Sequence, residues 1–103
     1  MPKYIIAYHG AAKFESPEQG AAHRAKWKAW VSDLGDAVVN PGTPLSKGKL
    51  ISSRGVSEVG PNLLTGFSMV VADSIESAIG IAQRCPYLDH GGTVEVAEVM
   101  EMK

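Results

Sequence analysis

The chain has 103 residues, too few for a pair of domains and enough for one unit with a core that needs neither disulfide nor metal to hold it. Its 45% apolar and 20% charged residues fall outside the composition of disordered, collagen-like and coiled-coil chains. Ten basic against eleven acidic residues leave a net charge of −1 with no basic run, which argues against nucleic acid or an anionic membrane as partner.

Lys3 to His9 reads as a strand with apolar groups on both faces, Tyr4, Ile6 and Tyr8 on one and Ile5 and Ala7 on the other. Ser16-Pro17-Glu18-Gln19 then carries a helix start: a capping serine, proline at the first helical position and glutamine at the third. The helix shows its core-facing stripe at Trp27, Trp30, Val31 and Leu34, and Gly35 stops it. Ala37 to Val39 is a short strand closed by Asn40-Pro41-Gly42, and the turn-rich stretch to Pro61 holds one hairpin around Arg54-Gly55. Gly66 to Ala72 forms a further strand. Asp73 and Glu76 stand in capping-box spacing ahead of a second helix, which ends before Cys85-Pro86 because a residue preceding proline avoids the α region. Thr93 to Met102 closes the chain as a strand whose alternation slips at Ala97 and Glu98, the sign of a bulge or an edge position.

The order β-α-β-β-α-β with right-handed crossovers predicts an α+β fold, a ferredoxin-like βαββαβ arrangement with an antiparallel sheet. Two helices cover only one sheet face. Since two of the strands are apolar on both sides, the other face needs a cover, and a second copy laying its own sheet there predicts a homodimer. The alternative is that the 42–61 segment folds back over that face. The longest apolar runs are a few residues, far short of the roughly 20 needed for a membrane span. A lone cysteine and an opening without a basic, then apolar, leader predict a cytoplasmic protein.

Several segments together resemble the YCII-related family of small dimeric α+β barrel proteins. They are Lys3-Tyr4-Ile5-Ile6-Ala7-Tyr8, His23-Arg24 running to Leu34-Gly35, Gly42-Thr43-Pro44-Leu45, Gly66-Phe67, Asp73 to Ala78, Cys85-Pro86-Tyr87 and Gly91-Gly92-Thr93-Val94-Glu95-Val96. The resemblance spans nearly the whole chain, 1–103, as a single domain. Val59-Gly60-Pro61-Asn62 stands where one large branch of the family carries Asp-Gly-Pro-Phe. The resemblance implies a dimeric α+β barrel with a small cleft in which a histidine, paired with an aspartate in some members, acts as the catalytic group; one member is a dehydrochlorinase of chlorinated hydroxyquinols. His23 occupies the position of the family's helical histidine. Asp33 resembles the acidic residue of some relatives, but ten helical positions from His23 amount to about 15 Å of rise, so the two cannot pair within one helix.

Topology gives its own set of candidates. The end of the first strand, the start of the first helix, the end of the second strand and the start of the last strand lie at one end of the sheet, collecting His9, His23, Asn40, Asp89 and His90. His23, one turn before Trp27, is expected to point toward the sheet. Histidine exchanges protons near neutrality, and a neighbouring carboxylate such as Asp89 would orient it, so His23, His9, Asp89 and His90 are the catalytic candidates. Tyr8 and Tyr87 as hydrogen-bond donors, with Asn40 and Arg54, are the substrate-binding candidates. A packing role weighs against each histidine, and Trp27 and Trp30 offer the lining of a flat apolar pocket, although their helical spacing marks them first as core or dimer packing. No His-x-x-x-His or Cys-x-x-Cys spacing points to a metal, and no cofactor is expected. Cys85, at a helix C-terminus, is a poor nucleophile. Gly91-Gly92 reads as a tight strand entry rather than a phosphate loop. These residues predict either a small cofactor-independent enzyme doing histidine acid–base chemistry of lyase, isomerase or dehydrohalogenase type on a small aromatic or enolisable molecule, or a ligand-binding or sensing dimer using the same cleft.

Overall fold

The computed structural model describes residues 1–10, 16–45 and 47–100. It contains β1 (Lys3–His9), α1 (Pro17–Leu34), β2 (Val38–Asn40), a hairpin of β3 (Leu50–Ser52) and β4 (Gly55–Ser57), β5 (Leu64–Val71), α2 (Ile75–Gln83) and β6 (Thr93–Glu98), with 3-10 turns at Gly35–Ala37 and Pro86–His90. The main sheet runs β2-β5-β1-β6 and is antiparallel at every pairing, so β1 and β2, and likewise β5 and β6, run parallel across a helical crossover. This is the ferredoxin-like arrangement expected from the element order.

The predicted helix start is present: Ser16 accepts a hydrogen bond from the Gln19 amide at 3.2 Å, with Pro17 in the first turn. The second helix begins one residue later than its capping-box reading. Ser74, in extended backbone, is the cap and accepts from the Ser77 amide at 3.2 Å, which leaves Asp73 outside the helix. β5 starts at Leu64 rather than Gly66 because the β1 register shifts between Tyr8 and His9, so that Tyr8 faces Gly66, His9 faces Leu64 and Thr65 is the extra residue. Of the two readings of the slip at Ala97 and Glu98, the edge position holds, and the bulge lies on the other side of β1. β6 pairs with β1 in unbroken register from Thr93 to Glu98 and is an edge strand; the residues beyond 100, including Met102, lie outside the described residues.

The pleat sends Tyr4, Ile6 and Tyr8 of β1 and Ser68 and Val70 of β5 to the helical side, where they are buried with Trp30, Ala72, Ala78, Ala82, Cys85 and Tyr87. Trp27, Val31 and Leu34 complete the stripe of α1 against this core. Ile5, Ala7, Phe67, Met69 and Val71 line the opposite face and are only half-buried. Among the described residues of the 42–61 segment, the hairpin does not pack on them, for it leaves Leu50, Ile51 and Val56 at 55, 75 and 68% exposure. The molecule is thin, 46 × 39 × 19 Å. Its accessible surface of 7222 Å² exceeds the roughly 5,600 Å² of a compact monomer of this mass, and its radius of gyration of 14.8 Å exceeds the expected value of about 13 Å.

Candidate functional site

Asn40 ends β2 with its side-chain oxygen accepting the Gly42 amide at 2.8 Å, an Asx turn that carries Pro41–Thr43 along β5 to the bridge between Pro44 and Gly66. Leu45 then donates to the Thr65 carbonyl at 2.9 Å. Gly42 is obligatory in this turn. Its φ is +82°, and a Cβ there would stand 2.5 Å from the Phe67 carbonyl carbon and closer still to its oxygen. Under the turn, against α1, lies a cavity of about 330 Å³ lined by Tyr8, His23, Arg24, Trp27, residues 41–44, Thr65, Gly66, Phe67 and Tyr87.

The cavity is aromatic. The Tyr8 and Trp27 rings meet edge-on at 5.2 Å between centroids, Tyr87 lies 5.4 Å from Tyr8, and His23 sits 6.4 Å from Trp27. His23 is half-buried, with Nδ1 shielded from solvent, and faces the sheet as its helical position implies.

Two hydroxyls expected to serve a ligand have their protons committed elsewhere. Ser68, 2% exposed, donates to the Pro41 carbonyl at 2.8 Å, so the Tyr8 hydroxyl, 2.8 Å from the same Ser68 Oγ, must be the donor in that pair. Burial holds the Tyr8 phenol far above its ordinary range, as a neutral group. The Tyr87 hydroxyl donates to the Gly10 carbonyl at 2.6 Å, with Thr65 Oγ1 at 2.7 Å beside it. Tyr87 thus pins the end of β1 to the turn after α2, and its ring lies against Gly92, where a Cβ would be 2.6 Å from Cδ2. That contact, together with a φ of +85° at Gly91, is the reason for the glycine pair.

Among the described residues, His23 is the one catalytic candidate that lines the cavity. His9 follows Tyr8 on the strand and points to the opposite face, where Nε2 lies 3.3 Å from Glu95 and Nδ1 3.3 Å from the Asn62 carbonyl. Asp89 is exposed and lines an outer cleft with Lys26, Trp30 and Asp33, away from the cavity. The side chain of His90 lies outside the described residues. Of the binding candidates, Tyr8 and Tyr87 contribute ring surface, Asn40 builds the wall, and Arg54 is exposed at the tip of the hairpin, outside the cavity lining. Arg24, residues 41–44, Thr65, Gly66 and Phe67 are lining residues that sequence reasoning did not assign to the site, and Trp27 takes the pocket-lining place that its helical spacing made the weaker reading. Ser68, a polar residue at an inward position of an apolar strand, was the available signal for the hydrogen-bonded wall. The bulge that re-aims Thr65 had none. Burial raises the Cys85 thiol to about 11, in keeping with a structural role. Among the described residues no group of three or more histidine, cysteine, aspartate or glutamate side chains could hold a metal ion, and no helix is long and apolar enough to cross a membrane.

Among solved structures, the chain is similar to a 5-chloro-2-hydroxyhydroquinone dehydrochlorinase from Burkholderia phenoliruptrix AC1100 in complex with 2,5-dihydroxybenzoquinone. The two are 14% identical with a TM-score of 0.62, over 97% of this chain and 95% of that one. At this identity the likeness establishes the fold. No curated protein matches the sequence. The model of the YCII-related domain matches residues 1–103, and the chain belongs to that family.

Proposed function

We propose that this protein is a small enzyme performing acid–base chemistry of the lyase, isomerase or dehydrohalogenase type on a small aromatic or enolisable molecule, with His23 transferring the proton and no cofactor taking part. The observation that carries this reading is His23 itself, a group able to exchange protons near neutral pH, set in the wall of an aromatic cavity sized for a single substituted ring. The dehydrochlorinase of the same fold, with a quinone bound, adds weight to an aromatic substrate.

The working form is a homodimer built on the open sheet face. Ile5, Ala7, Phe67, Met69 and Val71 are paired across β1 and β5 on that face and form one continuous, half-buried apolar surface that a second copy would cover. A second reading, a non-catalytic binding or sensing dimer, draws on one observation: neither His9 nor Asp89 lines the cavity with His23.

The deciding experiment screens enolisable and haloaromatic compounds for binding and turnover with the native protein and with His23→Gln. The enzyme reading expects turnover that falls at least about 100-fold in the variant while ligand binding persists. Binding without turnover in the native protein, or turnover within twofold of native in His23→Gln, would reject it.

A further inference from the structure

The polar side chains around the cavity are unevenly distributed. Among the described residues, Arg24 and His23 are the only lining groups that can bear positive charge, and no aspartate or glutamate joins them. The hydroxyl protons of Tyr8, Tyr87 and Thr65 are held by Ser68, by the Gly10 carbonyl and by the Tyr8 carbonyl, so these three side chains offer a ligand ring surface and oxygen lone pairs rather than donors. Charged donor capacity is therefore confined to α1, with the neutral Thr43 hydroxyl on the turn opposite. Arg24 is exposed at the cavity rim: its guanidinium folds back along the helix, with Nη1 3.7 Å from where a Cβ on Gly20 would stand, and it makes no ion pair among the described residues. An arginine with no carboxylate partner among those residues, at the edge of a cavity they leave free of acidic side chains, presents a planar fork of donors matched to an anionic oxygen pair.

We propose that the cavity takes its ligand as an aromatic anion, the ring against Trp27 and Tyr8 and a carboxylate or ionised hydroxyl on Arg24. The inference rests on the cavity being the small-molecule site and deepens that reading by assigning the charge of the ligand and the residue that selects it. Arg24 is a specificity residue, acting on the ligand's charged group and not on the proton transferred by His23.

The test compares two pairs of probes that differ in charge but hardly in shape, benzoate with benzamide and 2-hydroxybenzoate with 2-hydroxybenzamide. Binding at pH 7.5 is followed by ligand-observed NMR and calorimetry with the native protein, Arg24→Gln and Arg24→Lys. The native protein is expected to favour each anion over its amide by about tenfold, the discrimination typical of one charge-assisted pair at a partly solvated site. Arg24→Gln should erase the preference by weakening the anions alone, and Arg24→Lys should retain part of it. Equal binding of anion and amide to the native protein, or a preference that survives in Arg24→Gln, would overturn the anion assignment and leave the cavity standing as the site. Failure of all four probes to bind would overturn the assignment and the site together.

Discussion

Replacing Gly42 by alanine tests whether the turn over the cavity is held as the structure has it. Two separate costs are involved. A residue with a Cβ at φ +82° occupies the left-handed region at about 1 kcal/mol, and that Cβ would also collide with the Phe67 carbonyl of β5, an immobile backbone atom. Gly60 separates the two terms, for its φ is +85° and a Cβ there meets nothing within 4 Å. Gly60→Ala should therefore cost only the dihedral term. Gly42→Ala should cost that plus about 1–3 kcal/mol for forced displacement of the 41–43 backbone, in the range of other overpacked sites. For a chain of this length 1 kcal/mol corresponds to about 4–5 °C in Tm, so Gly42→Ala should melt about 5–15 °C below Gly60→Ala. Urea unfolding and calorimetric melts of the two variants measure the difference. Because the turn roofs the cavity, aromatic probes should bind more weakly to Gly42→Ala alone. If the two variants melt within about 2 °C of each other, the turn is not packed on β5 and the cavity has no such roof.

Two further predictions concern the buried polar groups. Ser68→Ala strands the Tyr8 hydroxyl and the Pro41 carbonyl and should cost about 1–3 kcal/mol, but at least about 0.5 kcal/mol less when made in Tyr8→Phe, which has no hydroxyl to strand. Equal costs in the two backgrounds would show that the Tyr8–Ser68–Pro41 relay does not exist. For Cys85, burial raises the folded-state thiol to about 11 from 9.0, so the unfolded chain loses this proton first. The thiol's contribution is intact below pH 9 and disappears as pH rises toward 11, at up to about 1.4 kcal/mol per pH unit. Denaturant unfolding at pH 7.5, 9 and 10 should show native stability falling more steeply than that of Cys85→Ala. Parallel curves would mean that the thiol is not desolvated.

Local chemistry accounts for everything legible in the amino-acid sequence alone. Ser16-Pro17 starts a helix in any surroundings because the serine oxygen reaches the Gln19 amide three residues on. The alternation of Tyr4, Ile6 and Tyr8 against Ile5 and Ala7 marks a strand buried on one face and apolar on the other. From the order of such elements, and from the hand of their crossovers, the ferredoxin-like fold follows, as does the orientation of His23 toward the sheet. Membership of the site is decided at another level. His9 and His23 share an end of the sheet, yet one step along a pleated strand puts Tyr8 in the cavity and His9 on the opposite face. Asp89, adjacent in topology, faces outward because the 3-10 turn after α2 spends its inward position on Tyr87. The roof depends on Gly42 lying against the carbonyl of Phe67 on another strand, Thr65 enters through a shift in register, and the proton of Tyr8 is assigned only through Ser68 and Pro41, from two other segments. Periodicity and capping act over three or four residues and leave their pattern in the sequence, whereas pleat parity, bulges and hydrogen-bond direction are settled by contacts between distant segments, and these make the cavity.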